Sequence, residues 1–220
     1  MAPTDASLEA LSKLRILNED FGWYVIPLLA IVLYIYSVEI KKARETGNWS
    51  TVFAGLTVLG LDFINEIWNA LVFAFTGYSA FWTTPGASAY IIFVGWNIEI
   101  VFMFSIAGIV FAKLLPDDKN KKMLGLPNRW AMAIGFALFC VIVEILLNWG
   151  NYLIWEYVWW HWYNPVLIFI VGYLYFFIGA FYVYDLPETK SKVKFVAIIY
   201  GISTVLLCIF GPLLGPLGIF

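Results

Sequence analysis

The stretch VFAGLTVLGLDFINEIWNALVFAFTG, residues 52–77, decides the fold class. As a helix rising 1.5 Å per residue it would measure about 39 Å, more than the ~30 Å hydrocarbon core of a bilayer. Its only charges are Asp62 and Glu66. Apolar runs of similar kind occur near 22–41, 89–115, 130–150, 165–184 and 194–214, separated by charged or Pro/Gly-rich breaks. The expected fold is all-α, a polytopic integral membrane helix bundle with six transmembrane helices, seven being the alternative. Residues 1–220 then form a single membrane domain.

Composition agrees with that reading. The 220 residues are 62% hydrophobic, 20% aromatic and only 13% charged, against roughly 45–50% apolar in soluble domains. With a formal net charge of -2 and no long basic run, the chain has no electrostatic basis for binding nucleic acid. Its expected partners are the lipid bilayer and a lipophilic small molecule, and no sequence feature fixes an oligomeric state. The two cysteines, Cys140 and Cys208, lie in apolar segments and read as small core residues. His161 is the one histidine, so the sequence offers no metal-ligand cluster, and neither a metal nor another cofactor is expected. The first 21 residues carry Asp5, Glu9, Glu19 and Asp20 beside Lys13 and Arg15 without an apolar core, so no cleaved signal peptide is expected.

Eleven of the thirteen basic residues fall in three loops: Lys41, Lys42 and Arg44; Lys113, Lys119, Lys121, Lys122 and Arg129; and Lys190, Lys192 and Lys194. These alternate with loops 78–88 and 151–164, which contain no Lys or Arg. The positive-inside rule places the basic loops in the cytoplasm and both termini on the non-cytoplasmic side. The membrane would be the endoplasmic reticulum in a eukaryote and the plasma membrane in a bacterium. The sequon Asn48-Trp49-Ser50 then faces the cytoplasm and stays unglycosylated. Trp149 to Tyr163, with Trp155, Trp159, Trp160 and Trp162, is too short to cross and reads as an interfacial aromatic belt, with a lid over a pocket as the alternative.

Function rests on polar residues inside the spans. Asp62, Glu66 and Asn69 follow an i, i+4, i+7 spacing and share one helix face, beside Asn65 and Trp68. Glu144, Asn148 and Asn151 repeat that spacing in the fourth span, and the antiparallel third span brings Trp96, Asn97 and Glu99 into the same leaflet. All three groups are expected to converge beneath the tryptophan-rich loop. Four unpaired charged acids would cost on the order of 10 kcal/mol in hydrocarbon, and every basic residue falls in a loop or tail. Neutral, proton-donating acids are therefore expected, as an acid catalyst in an apolar pocket requires. The competing reading makes the same acids and amides interhelical hydrogen-bonding glue. Asp117-Asp118, beside Lys119, Lys121 and Lys122, reads as a solvated loop rather than a magnesium diphosphate site. His161 reads as a structural interfacial residue.

The lead-in Phe21-Gly22-Trp23, the short basic loop Lys41 to Gly47, the run Asn65-Glu66-Ile67-Trp68 and the chain's size together resemble the small integral-membrane terpene cyclases of fungal meroterpenoid and indole-diterpene pathways and their bacterial relatives. The resemblance covers the chain to about residue 75. It implies that an acid of the second span, matched by Glu66, protonates an epoxide or terminal alkene of a prenylated aromatic while aromatic walls stabilise the carbocations. That family usually has seven spans and a second acid in the last; the final span here, Phe195 to Leu214, has no carboxylate. Glu144 or Glu99 would have to replace it. The resulting expectation is a membrane-bound terpene cyclase of lyase or isomerase type, using Glu66 with Asp62, Glu144 and Glu99 as catalytic groups, and Asn65, Trp68, Asn69, Trp96, Asn97, Asn148 and Asn151 around the substrate. The alternatives are a proton- or cation-coupled transporter or channel, and a non-catalytic lipid-binding or assembly protein.

Overall fold

The computed structural model describes residues 2–16, 22–86 and 88–215; Glu19, Asp20 and Phe21 lie outside them. Helices dominate: α1 (Asp5–Ser12), α2 (Val25–Thr46), α3 (Ser50–Thr76), α4 (Ile98–Lys113), α5 (Asn128–Trp149), α6 (Tyr175–Asp185) and α7 (Thr189–Leu214). A π-helical segment, Ile168–Leu174, runs directly into α6. Two small antiparallel hairpins, β1 (Ile91–Phe93) with β2 (Trp96–Asn97) and β3 (Lys122–Met123) with β4 (Leu126–Pro127), complete the fold.

The central helix is α3, which packs against α4, α6 and α7. Small residues permit that closeness: a Cβ on Gly108 of α4 would lie 2.3 Å from the Ala54 carbonyl oxygen of α3. Helix α2 lies outside, against α4, while α5 packs mainly on the π-helical segment and α6 and meets α4 through Phe111, whose ring lies 4.4 Å from Phe136. The most apolar stretch of α3 is 56% buried, whereas those of α5 and α7 are 17% buried. Their outward faces, with Leu138, Ile142 and Leu146 on α5 and Ile198, Ile202, Val205 and Ile209 on α7, are apolar. Exposed apolar surface on this scale suits lipid rather than water.

Four helical stretches are long and apolar enough to cross a membrane: Ser50–Thr76, Asn128–Trp149, Ile168–Asp185 and Thr189–Leu214. The other two expected spans are altered. Residues 89–115 do not form one helix, because β1 and β2 take up the first part and leave α4 only 16 residues. Helix α2 covers 22 residues but carries Glu39, Lys41, Lys42 and Arg44 in its second half.

The basic residues were expected in loops or tails, yet several terminate helices. Lys192 sits in α7 and is 3% exposed. Its ammonium donates to Ser50 Oγ (2.9 Å), to the carbonyls of Val183 (3.0 Å) and Tyr184 (2.9 Å), and to that of Leu186. A cation thus closes the C-terminal end of α6, where helix carbonyls lack partners. Lys113 at the end of α4 pairs with the buried Glu39 of α2 at 2.5 Å, and Arg129 of α5 grips Asp185 with two bonds of 2.9 and 3.0 Å. Asp117 and Asp118 are exposed in the adjoining loop, as expected. Cys208 is exposed on α7 rather than in the core.

At the opposite, tryptophan-rich end, α1 docks through a hydrogen bond of Ser7 Oγ with Ser79 Oγ (3.3 Å) and of Thr4 N with the Tyr78 carbonyl (3.0 Å). The segment 151–164 is more than a belt. Trp155 and Trp160 are 4% and 2% exposed, and Trp160 stacks on Phe81 and Trp82 at 5.2 and 5.5 Å, while Trp159 and Trp162 keep exposed faces. The result is an aromatic cap over the bundle.

Candidate functional site

Beneath that cap the polar stripe of α3 makes its contacts in order. Asn69, fully buried, accepts from the backbone N–H of Phe81 (2.8 Å) and Trp82 (3.3 Å) and donates to the Trp82 carbonyl (2.8 Å). One side chain thereby substitutes for a strand partner and fixes the capping loop on the helix. Gly95 lies against this junction: a Cβ there would come within 2.3 Å of Asn69 Nδ2 and 2.6 Å of the Trp82 oxygen. Trp82, so placed, donates its indole N–H to Glu66 Oε1 at 2.8 Å.

Asp62, one turn away, receives the indole N–H of Trp96 at 2.9 Å. Hairpin β1–β2 delivers that ring, which stacks on Phe63 at 5.0 Å and Phe93 at 5.6 Å. Asn65 binds the π-helical segment, donating to the Val171 carbonyl (3.2 Å) and accepting from the Tyr175 hydroxyl (2.5 Å). The same segment carries Tyr173, which lines the same cavity wall as Glu144 of α5. π-Helical turns recur at functional sites, and this one sets Tyr173 on the cavity wall, with Tyr175 following at the start of α6.

Asp62, Glu66 and Glu144 line one cavity of about 180 Å³, with Asn65, Cys140 and the rings of Trp82, Phe104, Trp160, Tyr173, Phe176 and Phe177 among its walls. No Lys or Arg among the described residues lines it, and their ion pairs engage Glu9, Glu39 and Asp185. Glu66 is 2% exposed, and its second oxygen, Oε2, has no hydrogen-bond partner among the described residues; neither has the indole N–H of Trp160. Buried polar atoms of this kind are ordinarily satisfied. A carboxyl held at one oxygen and open at the other can exchange a proton with whatever occupies the cavity.

The convergence expected from the sequence is therefore partial. Asp62, Glu66, Glu144, Asn65, Asn69 and Trp96 come together. Glu99 does not: it accepts from Tyr24 Oη, Ser88 Oγ (2.6 Å) and Ala89 N (3.0 Å) and lines a separate outer cavity. Asn97 caps α4, accepting from Ile100 N at 2.9 Å. Asn148 donates to the Leu153 carbonyl at 2.8 Å, and Asn151, at φ 60°, lies beyond the end of α5 in the left-handed turn that asparagine tolerates. The apparent repeat of the α3 stripe in α5 thus extends only to its acid. Trp68 faces outward at 40% exposure, with its ring against Phe81 at 4.4 Å. His161 stacks on Tyr163 at 4.1 Å, and burial holds its imidazole below the ordinary pKa.

Sequence reasoning missed Trp82, Trp160, Tyr173 and Tyr175. Both tryptophans reach the site from loops, Tyr173 from the π-helical segment and Tyr175 from the first position of α6.

A family model described as an uncharacterized membrane protein family matches residues 4–212. A protein of Archaeoglobus fulgidus is 48% identical over 212 residues, covering 96% of this chain and 98% of its own. A second A. fulgidus protein is 39% identical over 51 residues, 23% of this chain and 91% of its own length. No solved structure matches. Matched over nearly its whole length by both the family model and the longer relative, the chain belongs to this uncharacterized membrane protein family.

Proposed function

We propose that the protein is a six-span membrane enzyme, with both termini on the non-cytoplasmic side, that acts on a lipophilic isoprenoid-type substrate by carboxylic-acid catalysis in the manner of a terpene cyclase. The observation that carries the reading is Glu66, anchored at Oε1 by Trp82 and unpartnered at Oε2 in an aromatic-walled cavity. Six spans are supported by α2, whose outward face carries Ile26, Leu29, Ile31 and Leu33, and by α4 with the hairpin that precedes it. The archaeal relatives favour a plasma membrane.

Protonated Glu66 gives its proton to an alkene carbon or an epoxide oxygen of the substrate, and a carbocation forms at the neighbouring carbon. The faces of Trp82, Trp160, Phe176 and Phe177 carry the negative end of the ring quadrupole towards that charge. Ring closure onto a second alkene moves the cation, and loss of a proton to a carboxylate returns the proton count. The product is an isomer of the substrate. That proton returns to the Glu66 carboxylate, directly or relayed by Glu144 on the same cavity wall; Asp62, held by Trp96, sets the local field. Glu99, in the outer cavity, takes no part in the proton transfer.

Product analysis by mass spectrometry tests this. Membranes holding wild type or Glu66→Gln receive linear prenylated aromatics and their terminal epoxides. An isomeric, cyclised product from wild type alone is the expected outcome. Equal turnover by Glu66→Gln would remove that residue from the role. Absence of any conversion, with pH-dependent proton flux in proteoliposomes, would assign the carboxylates to a transporter; amide variants that alter stability alone would assign them to helix assembly.

A further inference from the structure

A second cavity, of about 250 Å³, lies beside the first and is lined by Tyr24, Thr84, Glu99 and Tyr152. The two cavities share four wall residues: Ile100 and Met103 from α4, and Leu147 and Leu153 from α5 and the loop after it. Met103 is 42% and Leu147 39% exposed, so the shared wall reaches the outer surface of the bundle. It does so towards the tryptophan-rich end, beyond the point where Phe111 of α4 packs on Phe136 and Phe139 of α5 at 4.4 and 6.3 Å. Each volume is below the roughly 300 Å³ at which ligand pockets begin, and the two together exceed it.

Polar character divides between the ends. In the inner cavity, Glu66 Oε2 and Trp160 Nε1 are buried without partners among the described residues; in the outer one, Thr84 is 3% exposed and its hydroxyl is likewise unpartnered. Between these ends the shared wall is aliphatic. A ligand matching this pattern has a hydrogen-bonding group at one end, a hydrocarbon middle, and a reactive terminus at the other end.

The geometry points to one elongated binding tunnel reached from the bilayer through the gap between α4 and α5. It takes an extended single-chain lipophile with its hydroxyl or phenol head at Thr84 and its far end at Glu66. This arrangement rests on the reading of Glu66 as the reactive group and adds the direction in which the chain is threaded. Access from the membrane suits such a ligand, which partitions into lipid and never crosses water to reach the site.

Photoaffinity labelling of the full chain in phosphatidylcholine nanodiscs tests the tunnel without turnover. Two geranylgeraniol analogues are used, one with a diazirine at the hydrocarbon terminus and one with a diazirine beside the hydroxyl; labelled peptides are mapped by mass spectrometry. The terminal probe should label around Cys140, Val143 and Tyr173, and the head probe around Thr84 and Tyr152. Met103→Trp and Leu147→Trp, at exposed rim positions, should each lower inner labelling about tenfold while leaving thermal unfolding unchanged. Inner labelling that both rim variants leave intact, or a head probe that labels the inner cavity, would overturn the proposal. Labelling in the expected pattern without isomerisation by wild type would retain the tunnel and discard acid catalysis; isomerisation with an unlabelled outer cavity would do the reverse.

Discussion

Replacing Lys192 by methionine isolates the energetics of the basic end. The aliphatic stem is kept, and the ammonium that four acceptors share is lost: Ser50 Oγ and the carbonyls of Val183, Tyr184 and Leu186. Hydrogen bonds to a charged donor contribute about 1.5–3 kcal/mol each, and an ammonium has three donors. Two effects reduce the total: methionine removes the desolvation penalty of a charge that is only 3% exposed, and water reaches some of the released carbonyls at the helix end. A net loss of about 3 kcal/mol remains, in line with breaking other buried charge contacts. At 2–4 °C per kcal/mol for a chain of this size, the Tm should fall by about 6–12 °C. Thermal unfolding in dodecyl maltoside, followed by tryptophan fluorescence, measures this, with the exposed Lys194→Met as control. A Lys192→Met shift no larger than that of the control would refute the assignment of Lys192 as the cap of α6.

Gly95→Ala should disturb the site without touching an acid. Its Cβ would lie 2.7 Å from Trp82 Cδ1 and closer still to Asn69 Nδ2, so overpacking should cost about 1–3 kcal/mol; near-ultraviolet circular dichroism of the tryptophan bands should change with the drop in Tm. His161 predicts a pH dependence. Burial lowers its folded pKa below the ordinary 6.5, so the folded state disfavours the proton; stability is fully present above that value and declines as pH falls below it. His161→Asn should flatten the Tm profile between neutral and acidic pH, and an unchanged acidic decline in that variant would exclude His161 as its source.

The long apolar runs made the helices legible, and the i, i+4, i+7 stripe on α3 correctly placed Asp62, Glu66 and Asn69 on one buried face. Residues 89–97 misled because a short apolar run fits a buried strand as well as a helix end; Gly95 and the capping residue Asn97 were the signals of a turn followed by a helix start. Thr4 and Asp5 likewise announce α1, whose first turn Thr4 caps through Ser7 N. The pairing of each acid with an indole was not legible. Trp82 and Trp96 lie 16 and 34 residues from Glu66 and Asp62, and no local pattern encodes contacts made by a folded loop. Nor does periodicity announce the π-helical turn that sets Tyr173 on the cavity wall.

The choice of tryptophan as the anchor for both Glu66 and Asp62 has a consequence for proton traffic. An indole N–H gives a hydrogen bond and has no lone pair with which to receive one. Tyrosine, serine or histidine in the same place would join a carboxyl to a relay; tryptophan insulates it. A proton that leaves Glu66 therefore has no route outward through Trp82, nor one from Asp62 through Trp96. For Glu66 the remaining direction is from Oε2 into the cavity.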